Sequence, residues 1–226
     1  MQRKGSMMKI ENNILKSYLK NVLFITGTAY AGKSTMCAML AEKYDLYHCG
    51  ENYKLDEFLE IATPDKQPHL CYQRKDWQEF LNRAPEEYEA WIYGSGREIA
   101  EMEFAELIRV SGNQRVIVDT NIPVDMLKEI ADYHQVAVML SPMSMSVERF
   151  FDRDDPDKAF LLRQIGKSEN PEKTMENYRE CIARVNSKEH YNEYASSGFF
   201  TITREDIDMD TREETLAVLE KHFNLV

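Results

Sequence analysis

Five short apolar segments recur along the chain, and longer segments with apolar residues spaced three or four apart separate them. Segments of the first kind are typical of buried β-strands, and the wider spacing is typical of amphipathic helices. We predict strands at residues 22–25, 45–49, 115–119, 136–140 and 199–203. Because helices separate these strands, the pattern predicts an α/β fold with three layers, α/β/α, around a five-stranded parallel sheet.

The helical pattern is longest after the second and fourth predicted strands. Pro85 opens a helix expected to run to residue 110, with an interruption at Gly94-Ser95-Gly96. A second long helix is expected at residues 171–196, because no glycine or proline breaks it after Pro171. Shorter helices are predicted at residues 10–20, 34–43, 52–62, 76–83, 123–133, 144–152 and 211–223.

The segment after the first predicted strand matches the pattern G-x-x-x-x-G-K-[ST] of a phosphate-binding loop. Its glycines allow successive backbone N–H groups to point at phosphate oxygens, and the following helix directs its positive end at the same anion. Lys33 would contact the β- and γ-phosphates of a nucleotide, and Ser34 would bind Mg²⁺. The alternative is an ordinary turn between a strand and a helix. We call residues 27–35 the phosphate loop; it comprises Gly27, Thr28, Ala29, Tyr30, Ala31, Gly32, Lys33, Ser34 and Thr35.

Two carboxylates follow predicted strands. Asp119 ends the third strand, in the pattern of a Walker B aspartate, and Glu51 comes shortly after the second. Because ligands bind at the carboxyl ends of parallel strands, both are expected to face the cleft that holds Lys33. Asp119 would hold Mg²⁺, and Glu51 would orient or deprotonate an acceptor hydroxyl. Each could instead cap a helix.

Composition narrows the classes of partner. The formal net charge of −11 disfavours nucleic acid, although a local nest of N–H groups can still hold a free nucleotide. The four cysteines show no metal-ligand spacing and are expected to be reduced, as in a cytoplasmic protein. No apolar run is long enough for a membrane span. Gly5-Ser6-Met7 is typical of a tag remnant, so no element of the fold is predicted at residues 1–8.

Together these features resemble the P-loop kinases of the nucleoside monophosphate kinase type, which include adenylate, cytidylate and shikimate kinases. The phosphate loop, Asp119, the arginine-rich segment 149–163 and His190-Tyr191 near the end carry the resemblance. It implies a single kinase-like domain at residues 21–226, after an N-terminal extension at 1–20. It also implies an acceptor-binding helical insertion at 52–113 and a lid at 149–168.

The resemblance implies transfer of the γ-phosphoryl group of ATP, with Mg²⁺, to a small hydroxylated or phosphorylated metabolite that is nucleoside- or nucleotide-like. Arg149 would bind the nucleotide, and Arg153 and Arg163 would act on the transferring phosphoryl group. Arg153 could instead be a solvated ion pair among its aspartate neighbours. Within the insertion, the candidate anchors for an anionic acceptor are Arg74, Arg83 and Arg97.

Some residues depart from the adenylate kinase pattern. Tyr30-Ala31 stands where those enzymes commonly carry Gly-Ala or Gly-Ser, and no arginine follows Pro123. The chain is therefore not expected to be a true adenylate kinase, and the identity of the acceptor stays open.

Aromatic residues are dense at 52–113, where they could form a stacking pocket or simply a core. The alternative function is an ATP-binding regulator without kinase activity; the oligomer is expected to be a monomer or a homodimer.

Overall fold

The computed structural model describes residues 9–72, 76–152, 156–205 and 209–226. In this part of the chain five strands form one sheet, in the order β2-β3-β1-β4-β5, and every pair of neighbours is parallel. This confirms the predicted three-layer α/β/α fold. The strands are β1 Val22–Gly27, β2 Tyr47–Cys49, β3 Val116–Asp119, β4 Val136–Leu140 and β5 Phe200–Thr203.

The central strands β1, β3 and β4 are buried along their whole length, as their continuous apolar sequences require. Their register aligns the functional ends. Ile25 pairs with Asp119 on one side of β1, and Gly27 pairs with Met139 on the other. The residues that leave β1 therefore emerge between the ends of β3 and β4.

Helices cover both faces of the sheet. One face buries Phe24 and Val118 against Leu107, and the other buries Ile25 against Leu40 and Leu219. The helices of the first half are α1 Asn12–Tyr18, α2 Lys33–Tyr44, α3 Leu55–Ile61, α4 Trp77–Leu81, α5 Pro85–Ser111 and α6 Val124–Ile130. A 3₁₀ turn at Tyr133–Gln135 precedes α7 Met143–Glu148, α8 Pro156–Ile165, α9 Pro171–Val185, α10 Lys188–Ala195 and α11 Arg212–His222.

A third apolar cluster lies between α4, α5, α8 and α9, away from the sheet. It buries Phe80, Tyr88 and Tyr178 in edge-to-face contacts with centroids 5.7 to 6.0 Å apart. Much of the aromatic density of the insertion is therefore core, which was one of the two interpretations offered by the sequence.

Two helix predictions were wrong. The helix expected at residues 171–196 is two helices, because the chain breaks at Asn186 and Ser187 starts α10 by accepting a hydrogen bond from His190 N at 3.4 Å. The interruption expected at Gly94–Gly96 is absent, since α5 runs through it without a break. Within the described residues, no helix combines the length and apolar character that a bilayer span needs.

Candidate functional site

The phosphate loop has the backbone conformation that its glycines permit. The φ angles of Gly27, Tyr30 and Gly32 are 130°, 64° and 90°. At Gly27 a side chain would also be excluded by packing, because a Cβ there would lie 1.9 Å from the carbonyl oxygen of Met139. Thr28 N donates to that same oxygen at 3.0 Å. The start of the loop is therefore fixed directly to the end of β4.

Ser141, just beyond β4, supports the loop from the side. Its backbone N–H donates to Thr28 Oγ1 at 2.8 Å, and its hydroxyl donates to the Ala29 carbonyl at 2.7 Å. Ser141 is fully buried. These bonds satisfy polar groups that the turn leaves without a partner and fix the first residues of the loop to the end of β4.

Lys33, Ser34 and Asp119 lie together at the base of the loop. Ser34 Oγ donates to Asp119 Oδ2 at 2.6 Å, and Lys33 Nζ lies 4.0 Å from Asp119 Oδ1. The Lys33 and Asp119 side chains are 9% and 0% exposed. Asp119 caps no helix, since α6 begins after Pro123 without a side-chain cap. Burial raises the pKa of Asp119, and Lys33 and Ser34 partly offset this.

This arrangement fits a divalent cation. Asp119 Oδ1 is buried and accepts no hydrogen bond from the residues that the structure describes, so this carboxylate oxygen could bind a ligand. A hydroxyl and a carboxylate are oxygen donors of the kind that Mg²⁺ prefers. The charge of Mg²⁺ would also stabilise the ionised form of Asp119, whose pKa is raised by burial.

Glu51 lies exposed beside this group. Asn121 Nδ2 donates to Glu51 Oε1 at 3.3 Å, and the Glu51 charge contributes to the raised pKa of Asp119. The structure thus places Glu51 at the carboxyl ends of β2 and β3, near Asp119, while helix α3 has Lys54 at its N-cap. Its role as a base stays a prediction.

Sequence reasoning missed Glu103. This residue on α5 hydrogen-bonds Thr120, directly after Asp119, and burial raises its pKa to about 7 despite that bond. The position of Glu103 in the sequence gave little indication of this contact, because a glutamate inside a long helix usually faces solvent.

The three arginines of the predicted lid differ in what the structure shows of them. Arg153 lies outside the described residues. The carbonyl of Arg149 accepts a hydrogen bond from the Tyr30 hydroxyl, whereas its side chain is exposed. Arg163 is exposed on α8, with its guanidinium carbon 5.9 Å from the centre of the Phe160 ring. Among the described residues it makes no hydrogen bond to the phosphate loop.

Lys158 belongs to the segment predicted to be a lid and is a cation that the sequence reasoning did not select. Its ammonium group lies 5.5 Å from the centre of the Tyr30 ring and 4.6 Å from that of Phe150. Lys158 therefore contacts the phosphate loop through the ring of Tyr30. Tyr30 is the residue that differs from the adenylate kinase pattern, so this contact could not be read from the resemblance.

A cavity of about 950 Å³ extends from the phosphate loop into the helical insertion. Gly27, Thr28 and Ala29 line one end, together with Asn121. We call this the insertion cavity. Its aromatic lining comes from three separate parts of the chain and consists of Tyr72, Trp91, Tyr93, Tyr191 and Tyr194.

One wall of the insertion cavity is fastened by Glu98. Its carboxylate lies 2.7 Å from His69 Nδ1 and accepts from the backbone N–H groups of His69 and Leu70 at 3.2 and 2.7 Å. Trp91 Nε1 donates to the His69 carbonyl at 3.1 Å. The His69 ring fits over Gly94, where a Cβ would lie 2.4 Å from it. We call these contacts the Glu98 clamp.

The candidate anchors for an anionic acceptor have other partners. Arg97 Nη1 donates to both oxygens of Asp125, at 2.9 and 3.1 Å. The Arg83 guanidinium lies over the rings of Tyr72 and Phe80, at 4.7 and 4.3 Å. Arg74 lies outside the described residues.

A second cavity, of about 600 Å³, opens on the other side of the phosphate loop. It lies between the start of α2 and the segment that joins β5 to α11. Its described lining includes Gly32, Thr35, Met36, Arg204 and Arg212. The phosphate loop therefore separates two cavities, each large enough for part of a small molecule.

No protein-family model and no curated protein sequence matches the chain. Among solved structures, a dephospho-CoA kinase from Campylobacter jejuni is similar at 17% identity and a TM-score of 0.45, over 91% of this chain and 99% of that one. An uncharacterized protein from Eubacterium ventriosum ATCC 27560 is similar at 14% identity and a TM-score of 0.37, over 91% of this chain and 98% of that one. These likenesses are weak, and they identify neither an activity nor a substrate for this chain.

Proposed function

We propose that this protein transfers the γ-phosphoryl group of ATP to a hydroxyl of a small acceptor. The observation that carries the proposal is the position of the phosphate loop, with Lys33 and Asp119 at its base, between two cavities. Donor and acceptor of a phosphoryl transfer must approach the same phosphorus from opposite sides, and the two cavities open on the two sides of this loop.

In this arrangement the loop N–H groups and Lys33 hold the β- and γ-phosphates. The base of ATP would occupy the 600 Å³ cavity beside Thr35 and Arg204, and the acceptor would occupy the insertion cavity. Ser34 and Asp119 would hold Mg²⁺, which supplies charge neutralisation for the phosphate oxygens.

The chemical step joins the acceptor oxygen to the γ-phosphorus. The bond between that phosphorus and the β–γ bridging oxygen breaks, and ADP leaves with its electron pair. Glu51, held by Asn121, accepts the hydroxyl proton. The exposed side chains of Arg149 and Arg163 would neutralise charge on the transferring group, and Arg153, which lies outside the described residues, is proposed from the sequence for the same role.

The test is an ADP-release assay with ATP, Mg²⁺ and a panel of nucleosides, nucleoside monophosphates, sugars and shikimate. Acceptor-dependent ADP release that disappears in Lys33→Ala would support the proposal. ATP binding without turnover on every acceptor would instead favour the ATP-binding regulator. The presence of a cavity that reaches the phosphate loop favours the kinase, because a regulator that only binds ATP needs no second ligand there.

A further inference from the structure

Aromatic rings make up much of the wall that α5 and α10 contribute to the insertion cavity. Trp91 and Tyr93 come from α5, and Tyr191 and Tyr194 come from α10. Tyr93 stacks on His190 with centroids 4.0 Å apart, and its hydroxyl donates to the Val185 carbonyl. Rings held in this way present flat faces at little entropic cost, which suits a planar ligand.

Charge among the described residues of the same lining is balanced. The described lining residues with a fixed charge are the cations Arg97 and Lys128 and the carboxylates Asp125 and Glu193. Arg97 is paired with Asp125. The two lining histidines also face carboxylates, since His69 contacts Glu98 and His190 contacts Glu89, each at 2.7 Å. A phosphorylated acceptor would bring two negative charges to a surface without a net excess of cations.

We propose that the acceptor is an uncharged, nucleoside-like molecule, with a planar ring that stacks in the insertion cavity and a hydroxyl that reaches the phosphate loop. This inference rests on the proposed function. It narrows the small acceptor of that function to a nucleoside and excludes nucleotides. The hydroxyl end lies beside Thr28 and Asn121, where Glu51 takes its proton, and the ring end lies between α5 and α10.

The experiment compares adenosine, guanosine, cytidine and thymidine with their 5′-monophosphates in the ADP-release assay, with glucose and shikimate included. The expected result is a kcat/KM for at least one nucleoside at least about 10-fold above that of its monophosphate. A monophosphate that is used equally well or better overturns the inference. Turnover with glucose or shikimate alone also overturns it but leaves the kinase standing, whereas no turnover with any compound removes both.

Tyr191 provides a matched pair of variants. Tyr191→Leu removes the ring but keeps apolar volume, so we expect the KM for the nucleoside to rise about 5- to 100-fold, as loss of one stacking contact implies. Tyr191→Phe keeps the ring and should stay within about 3-fold of the unmodified protein. The KM for ATP should be unchanged in both. Equal effects of Leu and Phe on the nucleoside would contradict stacking.

Asp125 tests the charge argument separately. Asp125→Asn leaves Arg97 without its carboxylate, so the monophosphate should gain at least about 3-fold in kcat/KM relative to its nucleoside. Asp125→Glu retains the charge and should leave this ratio unchanged. If the ratio of kcat/KM between the monophosphate and its nucleoside does not change in Asp125→Asn, the charges of Arg97 and Asp125 do not select the acceptor.

Discussion

The phosphate loop and the insertion cavity share Gly27, Thr28 and Ala29, but they are built from different kinds of contact. The loop is one contiguous segment whose proposed function depends on backbone N–H groups, two glycines and a strand end. The aromatic side chains of the cavity wall come from α5, α10 and the segment before α4, which are far apart in sequence. The comparison teaches that a backbone site tolerates little change, whereas a side-chain site can be altered residue by residue.

The sharpest way to break the backbone site is Gly27→Ala. The new Cβ would overlap the Met139 carbonyl oxygen at 1.9 Å in a residue with φ of 130°, so both β4 and the loop must shift. We expect the free energy of unfolding in urea to fall by at least about 3 kcal/mol. Gly50→Ala is the control, because a Cβ there meets no atom within 4 Å and should change stability by less than about 0.5 kcal/mol. Native stability in Gly27→Ala would contradict the packing of the loop on β4.

Asp119→Asn separates catalysis from stability at the base of the loop. Turnover should fall by about 10²- to 10³-fold and need more Mg²⁺, because a charged cation ligand is lost. The free energy of unfolding should not fall, since the change removes a buried carboxylate that burial already penalises. Mg²⁺ titrations of turnover and urea unfolding measure the two effects.

Ser34→Ala completes a double-mutant cycle with Asp119→Asn. The two side chains are joined by a hydrogen bond of 2.6 Å and would hold the same cation, so their effects on turnover should not add. Fully additive effects would mean that they act independently and would count against a shared Mg²⁺ site.

The same contrast explains what could be predicted from the sequence. The strands β1, β3 and β4 and the loop between β1 and α2 follow from continuous apolar segments and local glycine requirements. β4 was placed at its observed limits, Val136–Leu140. Local signals suffice here because the apolar run or the glycine positions that determine each segment lie within that segment.

The cavity could not be predicted in the same way. Tyr191 and Trp91 are 100 positions apart, and only the break before α10 brings the side chains of this helix to the cavity. That break lacks glycine and proline and was missed. The glycines at Gly94–Gly96 were interpreted as a helix interruption, but Gly94 instead makes room for His69 within a continuous helix. Both errors concern long-range packing, which local propensity does not record.

Glu98→Gln sharpens the comparison on the cavity side. The amide can keep one acceptor oxygen, but it loses the charge that strengthens the bonds to His69 and Leu70. We expect the KM for the best nucleoside acceptor to rise about 5- to 20-fold, with kcat and the KM for ATP little changed. Glu101→Gln, an exposed change on the same helix, is the control. An equal fall in kcat would show that the Glu98 clamp acts on the chemical step instead.

Glu103 lies between the two regions, since it belongs to α5 and hydrogen-bonds Thr120 beside the phosphate-loop carboxylate Asp119. Burial, helped by the charge of Asp119, raises its pKa from an ordinary value of 4.5 to about 7. The folded protein therefore keeps a proton on Glu103 over a pH range in which the unfolded chain has lost it. Since the folded state then binds more protons, stability must fall as pH rises through this range.

The expected effect is a loss of stability that begins at about pH 4.5 and is complete only above about pH 7. Glu103→Gln removes the titrating group, so the fall in free energy of unfolding over this interval should become shallower. It should not vanish, because the pKa of Asp119 is also raised and acts with the same sign. Urea unfolding at half-unit pH steps measures the slope, with Glu101→Gln as the exposed control. Identical slopes in Glu103→Gln and the unmodified protein would mean that Glu103 is ionised at neutral pH and that α5 tolerates its charge beside Asp119.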